Sequence, residues 1–166
     1  DLELDITNRK IYWVRDTWDD DAVQRADMDG VNSNIEDLYT SCYAGYGFYG
    51  IGLDLRNQTV YWTQANNGCK DKISRINFDG TGFANVIYYP MNSLLNPWDI
   101  DVVGNKIYWT DCGLSEDIIY SANLDGSDID TVITEVDCQF FPIDTLSNQI
   151  YWSENNKICC AKMDGS

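Results

Sequence analysis

Large apolar residues come in unbroken triplets at four places along the chain: Ile11-Tyr12-Trp13, Val60-Tyr61-Trp62, Ile107-Tyr108-Trp109 and Ile150-Tyr151-Trp152. A half-buried strand alternates apolar with polar residues, so three in a row predict a strand covered on both faces or one turn of a core helix. Repetition decides for the strand. An apolar segment carrying an aspartate precedes each triplet, at LELDI (2–6), IGLDL (51–55), WDIDVV (98–103) and FPIDTL (141–146), and pairs naturally as the strand before it. After each triplet come a polar loop and a third segment closing in Asp-Gly, at 23–30, 73–80, 119–126 and 158–165. A fourth segment follows in three units, at 36–40, 84–89 and 131–134. The unit is therefore a four-stranded antiparallel meander. Its tryptophans are spaced by 49, 47 and 43 residues, the range of propeller blades and too long for simple hairpin repeats.

The turns support this reading. Asn8, Asn57, Asn105 and Asn148 stand just ahead of the apolar triplets, and asparagine tolerates the left-handed backbone of a tight turn. Asp-Gly is a hairpin signal, because both positions accept positive φ. The predicted fold is an all-β propeller in a single domain, 1–166, with units at about 1–41, 42–90, 91–137 and 138–166. Stacked blades bury both faces of each sheet, which accounts for the apolar triplets. Fifteen strands are visible where four full blades need sixteen, because the last unit lacks its fourth. The chain is then either a tight four-bladed ring or an arc whose open edge and aromatic faces must be covered. A homo-oligomer or an associated second chain is expected to cover them; the alternative is a processed C-terminus.

The units resemble the YWTD (class B) repeats of the low-density lipoprotein receptor family, whose pattern is a hydrophobic-Asp strand, Asn-x-Ile-Tyr-Trp-Thr-Asp, and a strand closing in Asp-Gly. Tyr108-Trp109-Thr110-Asp111 reproduces the tetrapeptide in full, while the other copies continue as Val14-Arg15, Thr63-Gln64 and Ser153-Glu154. Pro97 and Pro142 match the proline that opens the innermost strand, and the second unit has Gly50-Ile51-Gly52 there. The resemblance implies an extracellular propeller that binds a protein or peptide. It implies six blades, whereas four units are present here.

Composition narrows the setting. A net charge of −16 argues against nucleic acid and anionic membrane, which need clustered Lys and Arg, and favours a cationic partner or metal. No apolar run approaches the ~20 residues of a membrane span, nothing at the N-terminus reads as a signal peptide, and Asp1 reads as the start of a mature chain. Six cysteines and the sequon Asn57-Gln58-Thr59 predict a secreted glycoprotein. In propeller order, Cys42 and Cys138 lie in loops after fourth strands, and Cys69 and Cys112 lie in loops between second and third strands, all on one rim. The expected bridges are Cys42–Cys69 and Cys112–Cys138, out of 15 pairings that six cysteines allow. Cys159 and Cys160 are left for an interchain bridge, a strained vicinal disulfide or two buried thiols.

The chain has no histidine, which removes Ser-His-Asp and Cys-His catalysis, imidazole zinc sites and imidazole pH switches. The acid release that relies on histidines in the receptor family therefore does not carry over. The repeat aspartates Asp5, Asp54, Asp101 and Asp144 recur once per unit, as scaffold groups do. Asp16, Asp19, Asp20 and Asp21 cluster in the first unit alone and are candidate calcium ligands, with a solvated loop as the alternative. CYAGYGFYG, 42–50, is peculiar to the second unit; the blade pattern resumes at Ile51, so Tyr43, Tyr46, Phe48 and Tyr49 are expected on a loop of the rim, joined by Trp18 and Trp98. Rigid aromatic rings there suit sugars, peptide side chains or a planar molecule; the alternative is a loop packed into the channel mouth. The function expected is non-enzymatic binding of an extracellular protein or peptide by the rim loops 14–22, 42–50, 64–71, 90–98 and 111–117, with no cofactor. Alternatives are a glycan-binding lectin and a carrier of a pigment or other small planar molecule.

Overall fold

The computed structural model describes residues 1–17, 20–30, 34–41, 47–65, 71–88, 96–112, 117–136, 140–154 and 156–166. Among them fifteen strands form four antiparallel sheets, each pairing its strands in chain order. The first sheet is β1 (Leu2–Asp5), β2 (Lys10–Arg15), β3 (Asp21–Asp27) and β4 (Glu36–Ser41); the second is β5 (Gly47–Asp54), β6 (Thr59–Ala65), β7 (Lys72–Asn77) and β8 (Ala84–Tyr88). The third is β9 (Pro97–Val103), β10 (Lys106–Cys112), β11 (Asp117–Asn123) and β12 (Asp130–Val136). The fourth stops at three strands, β13 (Ile143–Asp144), β14 (Gln149–Glu154) and β15 (Lys157–Lys162).

The turns that open each unit differ from the expectation in an informative way. Positive φ falls on Arg9 and Gln58, one residue after the asparagine, on Gly104 in the third unit, and on asparagine itself only at Asn148. Asn8 and Asn57 have another task. Their Nδ2 groups donate to Asp5 Oδ2 and Asp54 Oδ2 at 2.7 Å, and their backbone N–H groups reach the other oxygen at 3.0 and 3.2 Å. Asp5 and Asp54 are buried, and a buried carboxylate needs such partners. In the Asp-Gly turns only the glycine has positive φ, at Gly30, Gly80, Gly126 and Gly165. Asp79 and Asp125 instead accept bonds from Thr81 and Ser127 two residues on, the Asx arrangement that replaces a left-handed aspartate.

Hydrophobic clusters join the sheets in sequence: first to second through Tyr12, Val23, Phe48 and Trp62; second to third through Tyr61, Ile73, Ile100 and Trp109; third to fourth through Tyr108, Ile119, Phe141 and Ile150. No such cluster joins the fourth sheet to the first among the described residues. The blades thus form an arc. The apolar triplet is covered on both faces only where a sheet has two neighbours: every residue of β6 is buried, whereas Trp13, Tyr151 and Trp152 of the end sheets are half-exposed. At the two ends, Leu2, Leu4 and Ile6 and then Leu146 and Ile158 face solvent.

Each letter of the repeat tetrapeptide has a mechanical role. The tyrosine reaches the Asp-Gly turn of the next sheet: Tyr12 stacks on Phe78 with centroids 4.7 Å apart, and Tyr61 Oη donates to the Leu124 carbonyl at 3.2 Å. The tryptophan faces the previous sheet, where Trp62 meets Tyr39 at 5.2 Å. Thr63 Oγ1 accepts the Gly50 N–H at 2.8 Å, where β5 bulges, and donates to the Trp98 carbonyl of the third sheet at 2.6 Å. Thr110 likewise accepts the Asp99 N–H at 3.0 Å. Asp111 Oδ1 accepts the Asn96 N–H at 2.7 Å and so holds the loop that enters β9.

Candidate ligand-binding rim

In an antiparallel meander the loops between second and third strands, and those from one unit's fourth strand to the next unit's first, leave at the same end of the sheets. That end carries most of the predicted site residues. Trp18, Asp19, Cys42, Tyr43, Tyr46, Cys69 and Cys138 lie outside the described residues, and with them both predicted inter-loop bridges.

The structure brings Tyr49 and Trp98 together. Their rings stack with centroids 4.7 Å apart and planes at 26°. Tyr49 sits in the β5 bulge between Phe48 and Ile51, and Trp98 is the second residue of β9 beside it. Two glycines make the stack possible. A Cβ on Gly47 would collide with the Tyr49 ring, and a Cβ on Gly50 would lie 2.5 Å from the Trp98 carbonyl oxygen. The indole Nε1 of Trp98 is buried without a hydrogen-bond partner.

Phe48 requires a correction. Residues 47–50 are not loop but the opening of β5, and Phe48 is only 2% exposed. Its ring packs at 6.2 Å from Tyr39 and 6.0 Å from Trp62, inside the first-to-second cluster. The bulge shifts the alternation, so Phe48 turns to the core and Tyr49 to the rim. Sequence reading set the strand's start at Ile51 because Gly47 and Gly50 look like loop.

Carboxylates surround the aromatic pair. Asp21 is buried, accepts the Thr17 N–H at 3.3 Å and shares a hydrogen bond with Asp16; burial first, then Asp16 and Asp20, push its carboxyl up to about 6. Asp111 is pushed up to about 6 by burial, with Asp71 and Asp117 adding like charge against the stabilising Asn96 N–H. Burial, then Asp16, Asp21 and Asp71, raise the Tyr49 phenol. Asp20 is engaged by Arg15 at 2.7 Å. Among the described residues no three His, Cys, Asp or Glu side chains converge to hold a metal. The sequence places Asp71, Asp111 and Asp117 in the rim loops 64–71 and 111–117 but singles out only the run 16–21 as an acidic cluster. The signal was available: Asp21, Asp71 and Asp117 each stand eight residues before the aspartate of their unit's Asp-Gly turn.

A second acidic cluster lies inside the arc, where Asp1, Glu3, Asp99 and Asp101 line a cavity of about 360 Å³ with Phe140 and Phe141. Glu3 is pushed up to about 7, by burial first and then by Asp101 and Asp99. Asp99 accepts the Phe141 N–H at 3.0 Å, tying the third unit to the fourth. On the opposite end from the rim, Asn57 is exposed in its turn. Cys159 and Cys160 are free thiols on β15, half-buried and exposed respectively, so the vicinal bridge is not formed and Cys160 is not buried.

Successive antiparallel meanders packed face to face around a common interior are the blades of a β-propeller. The model of the low-density lipoprotein receptor repeat class B matches residues 105–136. Protein cueball of Drosophila willistoni is 28% identical over 162 residues, covering 92% of this chain and 23% of that protein. The chain thus spans about a quarter of that relative's length. Among solved structures, a chain of the nidogen/laminin complex superposes with a TM-score of 0.80 at 20% identity, over 98% of this chain and 59% of that one. A gluconolactonase from Xanthomonas campestris gives 0.66 at 19% identity, over 96% and 57%, and an oligogalacturonate lyase in complex with manganese gives 0.67 at 13%, over 95% and 47%. At these identities the structures share the fold alone. The chain is a YWTD-type β-propeller of four repeats, and its third repeat matches the low-density lipoprotein receptor repeat class B.

Proposed function

We propose that the chain is the non-enzymatic binding propeller of a secreted, extracellular protein, and that its rim takes a cationic segment of a protein or peptide ligand. The observation that carries this reading is the stacked Tyr49–Trp98 pair set among Asp16, Asp21 and Asp71. Aromatic faces attract Lys and Arg cations, by about 0.5–2 kcal/mol depending on desolvation, and the carboxylates add to that attraction. The nidogen relative comes from a complex with laminin, in keeping with a protein partner, and the absence of histidine weighs against triad chemistry. Glycosylation at Asn57 fits the same reading. A glycosylated amide keeps one N–H for Asp54, and the glycan would project from the end opposite the rim.

The test is selection from displayed peptides, followed by titration of the selected peptide. Enrichment of Lys- or Arg-bearing sequences is expected, with at least about a tenfold loss of affinity in Tyr49→Ala, the ~1.4 kcal/mol that one cation–π contact supplies. Failure to enrich any peptide, with sugar-inhibited binding to arrayed glycans, would overturn the reading in favour of a lectin. Affinity should also fall as pH drops through about 6, because Asp21 and Asp111 then take up protons and the rim loses negative charge.

A further inference from the structure

At the opposite end of the sheets the repeat builds a guanidinium seat between neighbours. In the first sheet Arg25 stands across β2–β3 from Tyr12 and across β3–β4 from Glu36. Its Nε and Nη2 donate to Glu36 Oε2 at 2.8 and 2.6 Å, Nη1 donates to the Phe78 carbonyl in the next sheet's Asp-Gly turn, and the Tyr12 hydroxyl bonds the same group. In the second sheet Arg75 is paired with Tyr61 in the same way. The third sheet keeps the seat and lacks the arginine. Ser121 occupies the position, opposite Tyr108 and opposite Asp130, which stands where Glu36 stands. Met163 precedes the fourth sheet's Asp-Gly turn as Phe78 precedes the second's.

The result is a cavity of about 320 Å³ lined by Lys106, Tyr108, Ser121, Asp130, Met163 and Asp164 among others; the counterpart that contains Arg25 measures about 270 Å³. Lys106 lines the same space, with Nζ 3.4 Å from Ser121 Oγ. Its counterpart Lys10 is paired with Asp27 at 2.6 Å, whereas Lys106 faces Asn123. With Lys106 against Asp130 and Asp164, the charged lining carries one net negative charge, which a guanidinium cancels.

We propose that the cleft between the third and fourth sheets is a binding site for a guanidinium group, supplied by an arginine side chain of a protein partner. Asp130 takes the fork of the guanidinium, and the Met163 carbonyl and Tyr108 hydroxyl take the remaining donors, as Glu36, Phe78 and Tyr12 do for Arg25. A planar fork fits this set and a point ammonium does not. The site lies at the far end from the rim and is independent of the rim's function.

The test is titration of ¹⁵N-labelled protein with N-acetyl-arginine-methylamide, followed by amide shifts. Saturable shifts are expected at Ser121, Asp130 and Met163, several-fold weaker with the capped lysine and absent with the capped citrulline. Agmatine should bind about as well as the capped residue, since only the side chain is read. Ser121→Arg places the guanidinium in cis and should abolish the shifts while leaving the protein folded. Asp130→Asn should weaken binding at least tenfold. Equal shifts from citrulline, unaltered binding in Ser121→Arg, or no saturable shift at all would overturn the proposal. Agmatine binding more than tenfold tighter than the capped residue would overturn the assignment to a polypeptide arginine.

Discussion

Glu3 shows how one side chain ties stability to pH in a protein without histidine. Its carboxyl is held near 7 by burial and by Asp101 and Asp99, against an ordinary value near 4.5. The folded protein therefore binds that proton more tightly than the unfolded chain, so stability is greatest below about 4.5 on this account and declines as pH rises through about 7. Glu3→Gln should raise Tm by a few degrees at pH 7.5, since about 1 kcal/mol moves Tm by roughly 2–4 °C at this size. It should also flatten the Tm profile between pH 4.5 and 7; an unchanged slope would show that the cavity carboxylates do not interact as described. Gly50 is as specific. It has no positive φ, so only space forbids a side chain, and Gly50→Ala should cost about 1–3 kcal/mol in denaturant unfolding by driving a Cβ into the Trp98 carbonyl.

Elements read differently from residues. Fifteen strands, their order and the three-stranded last sheet were legible because the apolar triplets, Asp-Gly turns and repeat spacing all point to one arrangement. The start of β5 was not. Gly47 and Gly50 carry no hydrophobic signal, and their role is to admit Tyr49 and Trp98, which only the neighbouring sheet reveals. Convergence of Asp21, Asp71 and Asp111 on the rim was hidden for a similar reason, since three separate units supply them. The pair Phe48 and Tyr49 gives the sharpest check on the bulge. Phe48→Ala should destabilise by about 3–5 kcal/mol as a core truncation, whereas Tyr49→Ala should cost about 1 kcal/mol and act on binding. Equal losses of stability would place both rings in the core.

Across the whole molecule, protection should follow position in the arc. β6 is buried throughout, while β15 is an edge strand with Ile158 77% exposed. Amides of β15 that point away from β14 should exchange at least ~100-fold faster than those of β6, since local opening spans from near zero to the global free energy. Comparable protection in the two strands would mean that another chain or a second copy supplies the missing pairing.

The tyrosine that reaches forward to the next sheet's turn gives the array a direction. The first and second sheets each offer a hook that an eye on the next sheet receives, and the two are never interchangeable. The joint falls at the same repeat position in both units although its contact differs: Tyr12 stacks on the Phe78 ring, and Tyr61 donates to the Leu124 carbonyl. Whole units can thus be gained or lost between two others without redesign of the survivors, as long as hooks keep meeting eyes. Reversing a single sheet is forbidden for the same reason, because it would set hook against hook at one joint and eye against eye at the other.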